Sequence, residues 1–133
     1  MIQYRVNDPI STEDFIDILN RSTLGERRPL EDRACMEAMV RHGNLCVTAW
    51  DGDLLVGLAR SVTDFHYACY LSELAVDSRY QKGGIGKALI HHTKAQLGPH
   101  CWLTLIAAPA ARDYYPHIGL ERNPDCWEQP PAP

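Results

Sequence analysis

The sequence has no long hydrophobic run. None of its apolar stretches approaches the roughly 18 residues of a membrane-spanning helix, and the N-terminus lacks the apolar core of a secretory signal. It also has no excess of positive charge, because 13 Lys and Arg oppose 17 Asp and Glu to give a formal net charge of −4. This balance argues against a sequence-independent nucleic-acid binder. We therefore expect neither a membrane nor a nucleic-acid partner.

The spacing of the cysteines and histidines is not typical of a disulfide scaffold or a metal site. The five cysteines are odd in number, widely spaced and mostly set in apolar patterns: Cys35, Cys46, Cys69, Cys101 and Cys126. Disulfide scaffolds and zinc sites need closer, paired spacings, so we expect reduced core thiols in a cytoplasmic protein without a metal. No repeat or linker divides the chain. We predict a single domain over residues 1–133, with a loose proline-rich tail at 128–133.

Hydrophobic periodicity and turn signals predict the secondary structure. Ser11 or Thr12 can cap the first helix, and Asp51-Gly52 is a strong hairpin signal. The predicted order is a strand (1–6), two helices (12–20 and 31–42), three strands (45–50, 54–62 and 68–76), a helix (84–97), a strand (101–107), a helix (110–118) and a last strand within 120–127. Strands and helices in this order predict an α/β protein.

A glycine-rich turn lies between the strand that ends at Val76 and the following helix. Gly83, Gly84 and Gly86 lack Cβ atoms, so the backbone can adopt positive φ and a ligand can approach its amides closely. The first amides of the helix have no intrahelical partner and lie at the positive end of its dipole. A strand, glycine-rich loop and helix of this kind bind phosphate groups. The turn therefore predicts an anion site, most simply for a pyrophosphate.

Three phosphate-binding patterns compete for this turn. A P-loop fails, because Gln81 stands at its first glycine and Ala88 at its magnesium-binding hydroxyl. The dinucleotide fingerprint fails, because Leu89 replaces its third glycine. The pattern Q/R-x-x-G-x-G/A matches residues 81–86 fully. This loop resembles the coenzyme A pyrophosphate loop of the GCN5-related N-acetyltransferases, the GNAT family.

A second segment and the order of elements support the resemblance. Residues 111–120 are similar to the family pattern A-x-x-[FLY]-Y-x-x-x-G-[FL], although Ala108 stands where an asparagine is frequent. The resemblance implies the GNAT fold, with a central mixed sheet of about six strands and about four helices. It also implies that two neighbouring parallel strands splay apart to hold coenzyme A.

The resemblance further implies which residues contact acetyl-CoA. The backbone of the strand before the loop would pair with the pantetheine arm, and the Leu74 N–H, or one adjacent to it, would polarise the thioester carbonyl. Lys82 and Lys87 would help to neutralise phosphate. The predicted contacts are Leu74, Ala75, Val76, Gln81, Lys82, Gly83, Gly84, Ile85, Gly86, Lys87, Ala111 and Tyr114.

Two side chains are candidates for proton transfer. Tyr115 matches the family tyrosine whose phenol can protonate the departing thiolate, with a core tyrosine as the alternative. Glu73, on the strand beside the splay, is the candidate base for the amine. The alternative is a carboxylate that caps a β-bulge or pairs with a neighbouring charge, and the sequence does not separate the two.

The resemblance implies an N-acetyltransferase that moves an acetyl group from acetyl-CoA to a primary amine. No cysteine lies near either motif, which favours direct attack in a ternary complex over an acetyl-enzyme. A non-catalytic coenzyme A or acyl-CoA sensor and an interaction module stay open, as does the identity of the small-molecule or protein amine. Because the family sheet ends in two further strands and little sequence follows residue 120, we also expect a homodimer that covers an open sheet edge. The alternative is that the proline-rich end and Trp127 cover this edge.

Overall fold

The computed structural model describes residues 1–132 and contains one mixed sheet flanked by four α-helices. The strands are β1 (Ile2–Val6), β2 (Leu45–Asp51), β3 (Leu54–Thr63), β4 (Ala68–Val76) and β5 (Trp102–Thr104), and the helices are α1 (Thr12–Arg21), α2 (Arg33–His42), α3 (Ile85–Lys94) and α4 (Tyr114–His117). The strands lie in the order β1-β2-β3-β4-β5. All neighbours are antiparallel except β4 and β5, which are parallel. The predicted mixed sheet is confirmed.

Helices α1 and α2 cover one face of the sheet. Ser11 caps α1 in a capping box with Asp14, and Asp32 caps α2 by accepting from the Cys35 amide. The apolar sides of the two helices pack on β3 through fully buried Phe15 and Met36. This layer holds the connection between α1 and α2 beside β4.

Helix α3 covers the opposite face. Its buried Ile85 and Leu89 pack on β2 and β3. At Gly57 of β3 a Cβ atom would come within 3.0 Å of the Ile85 side chain and 3.1 Å of the Leu89 side chain. The glycine therefore lets the first turn of α3 approach the sheet closely. No helix among residues 1–132 is both long and apolar enough to cross a membrane.

Strands β3 and β4 each contain a β-bulge. Ala49 pairs with Gly57 and Trp50 with Leu55, which leaves Val56 as an extra residue in β3. Arg60 pairs with Glu73 and Ser61 with Leu71, which leaves Ser72 as an extra residue in β4. Bulges bend a strand and re-aim its side chains, and they are frequent beside active sites.

The elements after α3 differ from the prediction. Helix α3 ends at Lys94 rather than Leu97, and β5 extends over three residues rather than the predicted 101–107. The predicted helix over 110–118 is divided into a 3₁₀ turn (Pro109–Ala111) and the single turn of α4. Pro116 contributes to this division because it has no N–H to donate to the preceding turn.

The sixth strand predicted within 120–127 is wrong. Residues 120–132 contain no strand, and a turn at Asn123 takes its place. The Asn123 side chain accepts from the Asp125 amide at 2.8 Å, and its carbonyl accepts from the Cys126 amide at 3.4 Å. Pro124 lies within this turn and cannot donate to a strand ladder. The sheet therefore has five strands in the described part of the chain.

Candidate active site

A cleft opens where β4 and β5 separate. The two strands pair only over residues 68–70 and 102–104, whereas β4 continues to Val76. Within residues 1–132 the β5-facing backbone of β4 therefore has no strand partner beyond Tyr70. The cleft has a volume of about 1100 Å³, above the range of about 300–1,000 Å³ that is typical of one small ligand. The free backbone of β4 in this cleft can pair with an extended ligand.

The glycine-rich loop forms one side of this cleft. Gly84 is left-handed, with φ +82°, and Ile85 begins the right-handed helix α3 directly after it. The amides of Gly83, Gly84, Ile85 and Gly86 find no acceptor in the described part of the chain. A left-handed residue followed by a helix N-terminus directs such amides toward an anion. The unpartnered amides are thus available to an anion, and the assignment of the loop to pyrophosphate stays a prediction.

A buried carboxylate fixes the start of the loop. Asp77 is 1% exposed, and its Oδ2 accepts from Arg79 Nη2 at 2.9 Å and from Arg21 Nη1 at 2.5 Å. These hydrogen bonds, above all those from Arg79, hold the pKa of Asp77 well below its usual range. The Asp77 amide also donates to the Val56 carbonyl at 2.8 Å. The loop therefore leaves the sheet from a point tied to both α1 and β3.

The two neighbouring tyrosines of the second motif both line the cleft. Their rings meet edge to face with centroids 5.4 Å apart. Tyr115 packs against the buried apolar side chains beneath α3, which include Ile85 and Leu89. Burial raises the pKa of its phenol. Burial also raises the pKa of Tyr114, while the nearby Lys87 amide opposes that rise. Both phenols are therefore protonated at neutral pH and can donate a hydrogen bond.

Glu73 lies outside the cleft lining. Its side chain is 1% exposed and lies on the face covered by α1 and α2, where it forms ion pairs with Arg28 and Arg60. Glu73 is therefore paired with neighbouring charges, which is the alternative to a base that the sequence left open. Its role as a base stays a prediction.

Most of the other predicted site residues come together around the cleft. Its lining includes Leu74, Val76, Gln81, Lys82, Gly84, Ile85, Gly86, Lys87, Ala111, Tyr114 and Tyr115. Two predicted contacts, Ala75 and Gly83, do not belong to this lining. The Ala75 side chain points into the core beneath α1, and Gly83 is exposed.

Sequence reasoning missed several residues of the lining. Tyr80 lines the cleft and donates from its hydroxyl to Asp51 Oδ2 at 2.6 Å, which ties the loop to the β2–β3 hairpin. Tyr70 and Glu128 also line it, and burial together with the Glu128 charge raises the pKa of the Tyr70 phenol. Tyr70 and Glu128 are far apart in the sequence, so no local pattern could have placed both in this lining.

Charged side chains line the cleft near the α1–α2 connection. They are Glu26, Arg27, Arg28 and Glu128. Of these four side chains, only Arg28 has an ion-pair partner among residues 1–132. Glu26 and Glu128 therefore offer two free carboxylates to a ligand in this part of the cleft, with Arg27 as a free cation.

Comparison with known proteins identifies the family. A family model described as "Acetyltransferase (GNAT) domain" matches residues 23–125. A curated relative, the chloroplastic GCN5-related N-acetyltransferase 2 of Arabidopsis thaliana, is 32% identical over 73 residues. That match covers 53% of this chain and 28% of the relative, so the chain spans well under half of that protein's length.

Solved structures share the fold at low sequence identity. A GNAT family acetyltransferase from Streptococcus pneumoniae TIGR4 has a TM-score of 0.81 at 22% identity, covering 100% of this chain and 98% of that chain. An aminoglycoside N-acetyltransferase in complex with CoA has a TM-score of 0.74 at 14% identity, covering 98% and 95%. An aminoglycoside acetyltransferase from an uncultured soil metagenomic sample has a TM-score of 0.70 at 18% identity, covering 98% and 97%. The chain belongs to the GNAT acetyltransferase family.

Proposed function

We propose that this protein is an N-acetyltransferase that moves an acetyl group from acetyl-CoA to a primary amine. The observation that carries the proposal is the free backbone of β4, which faces the cleft and leads into a loop of unpartnered amides. In this proposal the pantetheine arm lies along 74–76 and the pyrophosphate binds the amides of 83–86. Lys82 and Lys87 lie beside that site and would offset the phosphate charge.

Direct attack in a ternary complex is the proposed mechanism, supported by a cleft lining that contains no cysteine among residues 1–132. The amine nitrogen forms a bond to the thioester carbonyl carbon, and the Leu74 N–H stabilises the resulting oxyanion. The C–S bond then breaks, and Tyr115 donates a proton to the departing thiolate. The attacking amine loses its proton to a base or a water chain, for which Glu73 stays one prediction.

We propose a cationic acceptor. Two carboxylates without an ion-pair partner, Glu26 and Glu128, line the cleft near the α1–α2 connection, and the chain carries a net charge of −4. Negative charge in a cleft attracts an ammonium group and raises its local concentration. Arg27 carries the opposite charge and reduces this attraction.

The decisive experiment measures thiol release from acetyl-CoA with a panel of amines that includes diamines, polyamines, aminoglycosides, amino acids and lysine peptides. We expect release with at least one cationic amine. Binding of coenzyme A without release in any member of the panel would contradict the enzyme and support a sensor. An absence of both binding and release would leave an interaction module.

The cytoplasmic location predicted from the sequence stays a prediction.

We further propose a homodimer formed through the open edge of the sheet. Strand β5 pairs on one side only within residues 1–132. On the face of the sheet that α1 and α2 cover only in part, the exposed fractions of Trp102, Val62 and Tyr70 beyond the two helices are 70%, 48% and 42%. An uncovered edge and an apolar patch of this kind are normally buried in soluble proteins. Light scattering should give twice the 15.0 kDa chain mass.

A Trp102→Lys variant tests this surface, since it places a charge at the edge. We expect the variant to have the mass of one chain at micromolar concentration. Trp127→Lys is the matched control, because Trp127 is 90% exposed and lies outside the sheet. A wild-type protein with the mass of one chain across micromolar concentrations would rule out the dimer.

A further inference from the structure

Three charged side chains meet at the bulge of β4. Glu73 Oε1 accepts from Arg60 Nε at 2.5 Å, and Oε2 accepts from Arg28 Nε at 2.7 Å. The Ser72 hydroxyl donates to the same Oε2 at 2.9 Å. We name Arg28, Arg60 and Glu73 the arginine–glutamate cluster. Both carboxylate oxygens of Glu73 are thus engaged at a site where its side chain is 1% exposed.

Arg28 also binds the backbone of the bulge itself. Ser72 is the extra residue of β4, so the ladder between β3 and β4 has no residue opposite it. A backbone carbonyl in such a position needs another donor. Arg28 Nη2 donates to the Ser72 carbonyl at 2.8 Å while its Nε holds Glu73. The planar guanidinium therefore fixes a carbonyl and a carboxylate of consecutive residues at once.

The second arginine connects the bulge to the helical layer. Arg60 faces Glu73 across the β3–β4 pair, and its Nη1 donates to the Met39 carbonyl of α2 at 3.1 Å. Arg28 belongs to the connection between α1 and α2, and it lines the cleft. The cluster therefore joins α2, β3, the bulge of β4 and the charged wall of the cleft.

We infer that the arginine–glutamate cluster positions the β4 backbone at Ser72–Leu74 for acetyl transfer, and that Glu73 acts through this backbone rather than by accepting the amine proton. The inference rests on the proposed function, in which the Leu74 N–H binds the oxyanion. Leu74 directly follows the residue that the two arginines hold. Small displacements of a catalytic group lower a rate sharply, so a loosened bulge would lower kcat without removing any group that touches the substrates.

The test is a double-mutant cycle of Arg28→Lys and Glu73→Gln. Lysine keeps the charge at position 28 but cannot hold Ser72 and Glu73 together. We expect each single variant to lower kcat about 10-fold or more, with the KM for acetyl-CoA changed less than kcat. Because both changes break one cluster, the double variant should lose little beyond the larger single effect.

The pH profile separates positioning from proton transfer. A positioning cluster predicts that kcat falls by the same factor at every pH, so that the shape of the profile is kept in both variants. A general base predicts that Glu73→Gln removes a limb of the profile while Arg28→Lys stays close to the wild type. The second result would overturn the inference, as would wild-type kcat in both variants.

Hydrogen exchange gives a readout that does not depend on turnover. We expect faster exchange of the Glu73 and Ala75 amides, which face β3 in the ladder, in Arg28→Lys and Glu73→Gln, with the exchange of α3 unchanged. Arg33→Lys and Glu37→Gln are matched controls, because Arg33 pairs with Glu13 and Glu37 on the surface. If the wild type releases no thiol with any amine, the proposed function fails while exchange still tests the cluster. Unchanged exchange of the Glu73 and Ala75 amides would refute the positioning role of the cluster. Where Glu73→Gln does not fold, Arg28→Lys provides the comparison.

Discussion

Tyr115→Phe should lower kcat about 10- to 1000-fold and leave acetyl-CoA binding nearly unchanged, because the substitution removes a proton donor and keeps the ring. The ring of Tyr115 packs against the core cluster under α3, and phenylalanine preserves that packing. The measurement is steady-state kinetics together with calorimetric binding of acetyl-CoA. A folded variant with wild-type kcat would eliminate Tyr115 as the acid.

The pH dependence of the same variant gives a second check. Burial raises the pKa of Tyr115 above the ordinary value of 10.0, so the phenol keeps its proton through the neutral range. The wild-type kcat should therefore lose this acid only above about pH 10, and Tyr115→Phe should lack that decline. Tyr114→Phe is the matched control, because its hydroxyl lies beside Gly86 at the start of α3. We expect it to keep the high-pH decline.

The sequence was sufficient for features that depend on local chemistry. The Ser11 cap, the turn at Asp51-Gly52 and the glycine-rich loop are all set by residues within a few positions of one another. Each has a backbone requirement that particular residue types meet, such as the left-handed φ of Gly84. The order of elements follows from hydrophobic periodicity, which is also local.

Contacts between distant residues could not be predicted in the same way. Arg28 and Glu73 are 45 positions apart, and Arg21 and Asp77 are 56 positions apart. Many arginines and carboxylates in the chain could have formed these pairs, and only the packing of α1 on the sheet selects them. The sequence therefore offered Glu73 as a base or as a paired charge, whereas the structure supplies its two partners.

The length of β5 could not be predicted from the sequence for a different reason. The segment 101–107 is nearly all apolar, which predicts a full strand. Its pairing ends at Thr104, because β4 and β5 diverge beyond Tyr70 and no second strand continues the ladder among residues 1–132. Leu105 and Ile106 line the cleft instead. The hydrophobic residues that resembled a strand thus form a wall of the candidate site.

Gly84→Val and Gly86→Asp should each raise the dissociation constant for acetyl-CoA at least about tenfold, or about 1.4 kcal/mol. Nothing lies within 4 Å of a Cβ at Gly84, so valine is opposed by the φ of +82° rather than by crowding. At Gly86 a Cβ would lie 3.0 Å from the Tyr114 hydroxyl. Aspartate would also place a negative charge beside amides that the proposal assigns to pyrophosphate.

Calorimetric titration with acetyl-CoA measures the change, and circular dichroism confirms that each variant is folded. Gly52→Val is the matched control, since Gly52 has φ +59° in the β2–β3 turn and nothing within 4 Å of its Cβ position. It should strain the backbone in the same way without weakening acetyl-CoA binding. Lys87→Ala should cost less than either loop variant, because the amides bind through backbone geometry that alanine keeps. A folded Gly86→Asp protein with wild-type affinity would refute the assignment of the loop to pyrophosphate.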